Sequence, residues 1–156
     1  MKKLILMRGV PGSGKSTLAK QLAKQAANTK IYSTDDLFMI DGVYRFNPSK
    51  LGKFHKENQS RAEAAMSKGV ELVIIDNTNT TLWEMTPYIK SAKKFGYEIE
   101  CVIPQTEWAF DAEVCFEKNS HGVPLDAIKR MIERFQEQQK IDFAIGNYEQ
   151  ENSPKG

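Results

Sequence analysis

The 156-residue chain carries 22 Lys and Arg against 20 Asp and Glu, a formal charge of +2, with 40% hydrophobic and 27% charged residues. That length suits one domain rather than two, and the composition is that of a globular chain rather than a disordered one. A charge so near zero gives no whole-molecule argument for gripping long nucleic acid, leaving a strand end, a small partner or a local basic patch open; no CxxC or Cys/His cluster points to zinc, and a domain of this size needs no disulfide staple.

Cys101 and Cys115 are therefore expected to be buried free thiols. No apolar stretch approaches the ~20 residues of a membrane span, and Leu4–Met7 is too short for the apolar part of a signal peptide. The expected compartment is the cytoplasm, with no membrane partner.

In chain order, Lys3 to Arg8 reads as a short buried strand, and Ser16 to Ala27 as a helix with Leu18, Leu22 and Ala26 on one face. Lys30 to Ser33 is a second strand. Asp41-Gly42, flanked by apolar and aromatic residues, predicts a two-residue hairpin turn within 37–46. Asn47-Pro48 has the chemistry of a helix cap and first residue, and that helix runs to about Lys68, stopped by Gly69. Glu71 to Ile75 is a third strand. Thr81 and Glu84 have capping-box spacing, opening a helix to about Phe95 that Gly96 ends. Tyr97 to Ile103 is a fourth strand, Thr106 is expected to cap a helix to about Lys118, and Pro124 opens another.

Four alternations of strand and helix predict a three-layer α/β domain with a mostly parallel sheet of four to five strands. Residues 1–148 are expected to form that domain, with Ile141, Phe143, Ile145 and Tyr148 able to dock. Residues 149–156 are expected to form a disordered tail.

Gly9-Val10-Pro11-Gly12-Ser13-Gly14-Lys15-Ser16 fits G-x-x-x-x-G-K-[ST] at every fixed position, between a predicted strand and a predicted helix. Glycines let backbone N–H groups turn inward around an anion, and the helix N-terminus adds further donors. ATP would thus be bound by Gly12, Ser13, Gly14, Lys15, Ser16 and Thr17, with Lys15 on the β- and γ-phosphates and the Ser16 hydroxyl on Mg²⁺.

Asp35 and Asp36 follow the second strand, and Asp76 follows the third. In an open parallel sheet these positions share one edge with the loop after the first strand. One carboxylate there can take a proton from an attacking hydroxyl, and another can hold Mg²⁺ directly or through water. Helix capping or turn chemistry also accounts for such residues, and for Asn77, Thr78 and Asn79.

The loop, Ser33-Thr34-Asp35-Asp36, Ile75-Asp76-Asn77-Thr78-Asn79 and Asn119-Ser120-His121-Gly122-Val123-Pro124 together resemble the polynucleotide kinase branch of P-loop kinases. Asp41-Gly42-Val43-Tyr44, Phe46-Asn47-Pro48, Asn58-Gln59 and Trp83-Glu84-Met85 look like its NEDD-four-binding protein two subgroup. The resemblance runs from about residue 3 to 136. It implies a helical lid around Lys118 to Gly122, with Asp35 as general base, Lys15 as phosphate lysine, and Ser16 with Asp76 at the metal. It also implies ATP and Mg²⁺ as cofactors and the 5′-hydroxyl of DNA or RNA as acceptor.

Two positions depart from the pattern. The bacteriophage member of that branch has an arginine three residues after its base, where Phe38 stands here, and the lid in the family usually carries arginine where this chain has Glu117-Lys118. Lys118, then Arg130, are the candidate lid cations, Arg130 also being able to reach the nucleotide. Arg45 and Arg61 are the candidates for an acceptor phosphate, with Asp36, Asn77 and Asn79 beside them. A kinase of a small alcohol, sugar or nucleoside, and a nucleotide-binding module serving a partner protein, remain the alternatives.

Overall fold

The four apolar runs become strands of one parallel sheet in a computed structural model, which describes residues 2–137. Strands β1 (Lys3–Met7), β2 (Thr29–Tyr32), β5 (Leu72–Ile75) and β6 (Glu98–Val102) lie in the order β2-β5-β1-β6. The intervening β3 (Met39–Ile40) and β4 (Val43–Tyr44) form a separate antiparallel hairpin. The sheet has four strands among the described residues, and the docking expected of Ile141 to Tyr148 and the tail at 149–156 lie outside them.

The two central strands, β1 and β5, read as apolar runs because both faces of the sheet are covered there, whereas the edge strands β2 and β6 mix polar and apolar residues. Leu4, Leu6, Val73 and Ile75 pack on one face against α2 (Leu51–Ser67) and α3 (Leu82–Phe95). Ile5, Met7, Leu72 and Ile74 pack on the other against α1 (Lys15–Leu22). A third cluster of Val10, Cys115, Ile128 and Ile132 ties the loop after β1 to α4 (Ala112–Lys118) and α5 (Leu125–Glu137). Of the segment expected as a helical lid, only Lys118 is helical; residues 119–122 lie in the loop between α4 and α5, the two helices this cluster seats on the loop after β1. Both thiols are free as expected; Cys115 is fully buried and Cys101 half-buried.

Most boundaries follow the local chemistry. The side chain of Asn47 accepts the N–H of Ser49, starting a 3-10 turn (Pro48–Lys50) that runs into α2. The capping box at Thr81 and Glu84 forms, and Gly96 takes the left-handed conformation at φ 72°. Asp41 and Gly42 both have positive φ, as a tight hairpin turn requires.

Two expectations are corrected. Helix α1 stops at Leu22 rather than Ala27, giving way to a 3-10 turn at Ala23–Gln25. The hydroxyl of Thr29 takes the carbonyls of Ala23 and Ala26 at 3.2 and 2.7 Å and folds that turn into the strand. Thr106 does not cap a helix. Asp111 caps the shorter α4, its carboxylate accepting the N–H of Val114 at 3.2 Å.

Candidate active site

The loop after β1 bends as its glycines allow. Gly12 and Gly14 sit at φ 82° and 97°, and α1 opens directly from Gly14. A Cβ on Gly12 would strike the Cys115 carbonyl, so α4 packs where only a glycine fits. Two side chains hold the loop from outside. Thr106 Oγ1 donates to the Ser13 carbonyl at 2.8 Å, and Trp108 Nε1 donates to the Gly12 carbonyl at 3.0 Å. These contacts explain why Thr106 is unavailable as a cap, and they bring Trp108, which also packs against the third core cluster, to the edge of the site.

Lys15 and Ser16 converge on Asp76, which is 7% exposed at the end of β5. Lys15 Nζ lies 2.7 Å from Asp76 Oδ1, and Ser16 Oγ donates to Asp76 Oδ2 at 2.8 Å. A serine hydroxyl beside a carboxylate is a pair of hard oxygen donors, which would suit Mg²⁺. The cradle of loop N–H groups and the ammonium of Lys15 likewise suit a polyphosphate.

The same cavity, of about 390 Å³, is also lined by Ser33, Asp35, Thr78, Lys118 and His121. Asp35 is placed by what precedes it. Three side chains grip Ser33 and Thr34: Asn77 Oδ1 accepts the Thr34 N–H at 2.9 Å, Arg61 Nη2 donates to the Ser33 carbonyl at 2.8 Å, and His55 Nδ1 lies 3.1 Å from Thr34 Oγ1. Arg61 is held in turn by two hydrogen bonds to Asn58 Oδ1, at 2.7 and 2.9 Å, and by the face of Tyr32 at 4.9 Å. Asn58, fully buried, donates to Tyr88 Oη at 2.8 Å.

The carboxylate of Asp35 itself receives the phenol of Tyr44 at 3.1 Å and lies 3.5 Å from His121 Nδ1. The rings of Tyr44 and His121 are 4.3 Å apart, so the hairpin and the lid meet over Asp35. Burial, the nearby Asp35 charge and the hydrogen bond to it all push the Tyr44 phenol well above its ordinary value, keeping it a donor. Asp36 is exposed as a residue. Its carboxyl is nevertheless raised by partial burial, and by Asp76 and Asp35, against the lowering effect of Arg61 and His121.

The remaining predicted residues divide. Gly12, Gly14, Lys15, Ser16, Thr17 and Lys118 line the cavity. Lys118 Nζ also rests 4.4 Å from the centre of the Trp108 ring. Ser13 is fully buried behind the loop, with its N–H on the Val10 carbonyl. Asn79, 1% exposed with φ 45°, donates to the Met7 carbonyl at 2.7 Å and its own carbonyl accepts Arg8 Nε at 2.7 Å, so it ties β1 to the loop after β5. Arg45 lines a separate cleft against Phe38, Phe46 and Phe54, and Arg130 lies exposed on α5 outside the cavity lining. Phe38, where the family has arginine, is 1% exposed in an aromatic cluster 4.7 Å from Phe54 and 5.1 Å from Phe46.

Sequence reading missed Tyr44 at Asp35, the Thr106 and Trp108 clasp, and Arg8. Arg8 is fully buried, lies 4.5 Å from the Phe135 ring and donates to the Thr80 carbonyl at 3.0 Å. A charged residue ending an apolar strand was the one available signal for Arg8. Nothing in the spacing linked Tyr44 to Asp35.

Comparison with known proteins bears on the family and the fold. Human NEDD4-binding protein 2 is 44% identical over 133 residues, which are 85% of this chain but 8% of that protein. Rat 2′,3′-cyclic-nucleotide 3′-phosphodiesterase is 29% identical over 134 residues, 83% of this chain and 30% of that protein. The chain thus spans less than a third of either relative. Among solved structures, a chain of the Pnkp1/Rnl/Hen1 RNA repair complex superposes with a TM-score of 0.69 at 20% identity, over 90% of this chain and 46% of that one. The family model described as AAA domain matches residues 4–138, and the chain belongs to that family, with the fold of a P-loop kinase.

Proposed function

We propose that the chain is an ATP- and Mg²⁺-dependent phosphotransferase acting on the 5′-hydroxyl of a DNA or RNA end. One observation carries the reading: Asp35 lines the same cavity as the phosphate loop, on its far side, where a hydroxyl acceptor would enter. Asp35 accepts the proton of the acceptor hydroxyl as that oxygen attacks the γ-phosphorus, the bond from the γ-phosphorus to the β–γ bridging oxygen breaks, and ADP leaves. The loop amides and Lys15 hold the phosphates in line, and Lys118 neutralises charge on the transferring group. Ser16 and Asp76 hold Mg²⁺, which supplies further charge neutralisation at the phosphates. Asn77 and Arg61 act one step back, fixing the turn that presents Asp35.

The family resemblance in the residue blocks, in order, supports a nucleic-acid end over a small alcohol. The test is transfer of label from γ-labelled ATP to short 5′-hydroxyl DNA and RNA, beside a panel of sugars, alcohols and nucleosides. Labelled oligonucleotide is the expected product, and Asp35→Ala abolishes it while leaving ATP affinity within about threefold. Label on small hydroxyl compounds alone would replace the acceptor. Nucleotide binding without transfer to anything would make the chain a binding module.

A further inference from the structure

Trp83 stands in the first turn of α3 with 83% of its surface exposed, although its neighbours Met85, Tyr88 and Ile89 are buried. The packing of the fold does not require an indole there, and an exposed indole on a rigid helix is a ready stacking surface. It lines a cleft of about 510 Å³ between α2, α3 and the loop after β5.

The charge of that cleft is one-sided. His55 and Lys56 enter from α2 and Lys90 from α3, and neither lysine forms an ion pair among the described residues. The one carboxylate in the lining, Glu84, is engaged by the Thr81 N–H and the Thr80 hydroxyl, both at 3.0 Å. The cleft also adjoins the transfer site. Thr78 lines both cavities, and His55, at its edge, touches Thr34 beside Asp35.

We propose that this cleft is the track for the acceptor strand. A nucleobase of single-stranded DNA or RNA stacks on Trp83, backbone phosphates lie by Lys56 and Lys90, and the 5′ end passes Thr78 to reach Asp35. The inference rests on the proposed nucleic-acid acceptor and names where that acceptor is gripped. The arrangement, a π-surface flanked by cations, is the general means of holding single strands without reading sequence. It also takes over the role expected of Arg45, which lines a separate cleft, and of Arg61, which is engaged by Asn58 and Ser33.

The test pairs binding with kinetics on the full chain. Anisotropy of a labelled 5′-hydroxyl hexanucleotide gives its affinity, and labelled ATP gives kcat and KM for the same oligonucleotide. Trp83→Ala is expected to weaken oligonucleotide binding about tenfold or more and raise KM similarly, with kcat and ATP affinity unchanged. Trp83→Phe recovers part of the loss. Lys56→Gln and Lys90→Gln each reduce the slope of log affinity against log salt by about 0.7.

Unchanged oligonucleotide affinity and KM in Trp83→Ala, with transfer to 5′ ends intact, would overturn the track and leave the proposed function standing. A wild type that neither binds nor labels oligonucleotides would overturn both. Binding of an acidic peptide in place of the oligonucleotide, lost in Trp83→Ala, would assign the cleft to a protein partner and overturn the track.

Discussion

Lys15 donates to Asp76 at 2.7 Å, so the side chain meant for phosphate is already held by a carboxylate nine-tenths buried. Under the proposed function, the phosphates of ATP compete with Asp76 for the three donors of Lys15. Removing the carboxylate charge therefore has two opposed effects. In Asp76→Asn, ATP binding without Mg²⁺ is expected to tighten severalfold, because Lys15 is released, while the gain in affinity from added Mg²⁺ largely disappears. Calorimetric titration with and without the metal reads both. Lys15→Ala should lower ATP affinity at least tenfold and destabilise the fold by about 1–3 kcal/mol through the unpaired buried carboxylate.

Arg61→Ala removes donors from the Ser33 carbonyl and from buried Asn58. The expected cost is roughly 2–3 kcal/mol in denaturant unfolding. Transfer should fall at least tenfold while ATP affinity stays within about threefold, because the loop after β1 is untouched. Arg61→Lys should not restore the rate, since an ammonium cannot span Asn58 and Ser33 together. Asn77→Ala should show the same split with a smaller loss of stability.

Tyr44→Phe deletes one hydrogen bond to Asp35 and leaves the ring stacked against His121. Phosphoryl transfer is expected to drop about 3- to 10-fold, the worth of one hydrogen bond. ATP affinity should not move. An unchanged transfer rate would remove Tyr44 from the site.

The raised carboxyl of Asp36 predicts a pH-dependent gain from Asp36→Asn. The folded wild type binds this proton more tightly than the unfolded chain. Its contribution to stability is therefore full below the ordinary value of 3.8 and is lost as pH rises through the raised value. The variant has no charge to accommodate, so it should be the more stable protein at pH 7 by less than about 1 kcal/mol, given surface screening. The difference should vanish below about pH 3.8. Thermal melts across pH 3 to 8 give the comparison.

Gly12→Ala should be the most damaging single methyl in the loop. The added Cβ meets the Cys115 carbonyl at a φ of 82°, so either the loop or α4 must shift. Loss of nucleotide binding and a fall of at least about 2 kcal/mol in unfolding free energy are expected.

What could be read from sequence was what local chemistry decides. The apolar runs, the capping box at Thr81, the turn at Asp41-Gly42 and the loop through Ser16 all hold because their causes lie within a few residues of one another. The same holds for the placement of Lys15, Asp35 and Asp76 on one sheet edge, a consequence of parallel order. The misplaced expectations have distant causes. Thr106 is 93 residues from its partner Ser13, Arg61 is 28 from Ser33, and Trp108 is 96 from Gly12. Asn79, expected beside the acceptor, lines the Trp83 cleft and also ties β1 to the loop after β5, a second role its neighbours in sequence do not announce. Phe38 read as a lost charge, but an aromatic cluster shared by the hairpin and α2 occupies its place.

The strand order has a mechanical corollary. β5 lies between β1, which carries the phosphate loop, and β2, which carries Asp35. Donor and acceptor sides are thus two strand spacings apart, about 9.5 Å between backbones, a distance set by ladder hydrogen bonds rather than by loops. Asp76 and Asn77, at the end of the middle strand, bind to the left and to the right: Lys15 and Ser16 on one side, Thr34 on the other. The span across which a phosphoryl group would travel is therefore gauged by a ruler only four residues long. Slippage of β5 by a single residue would break both grips at once.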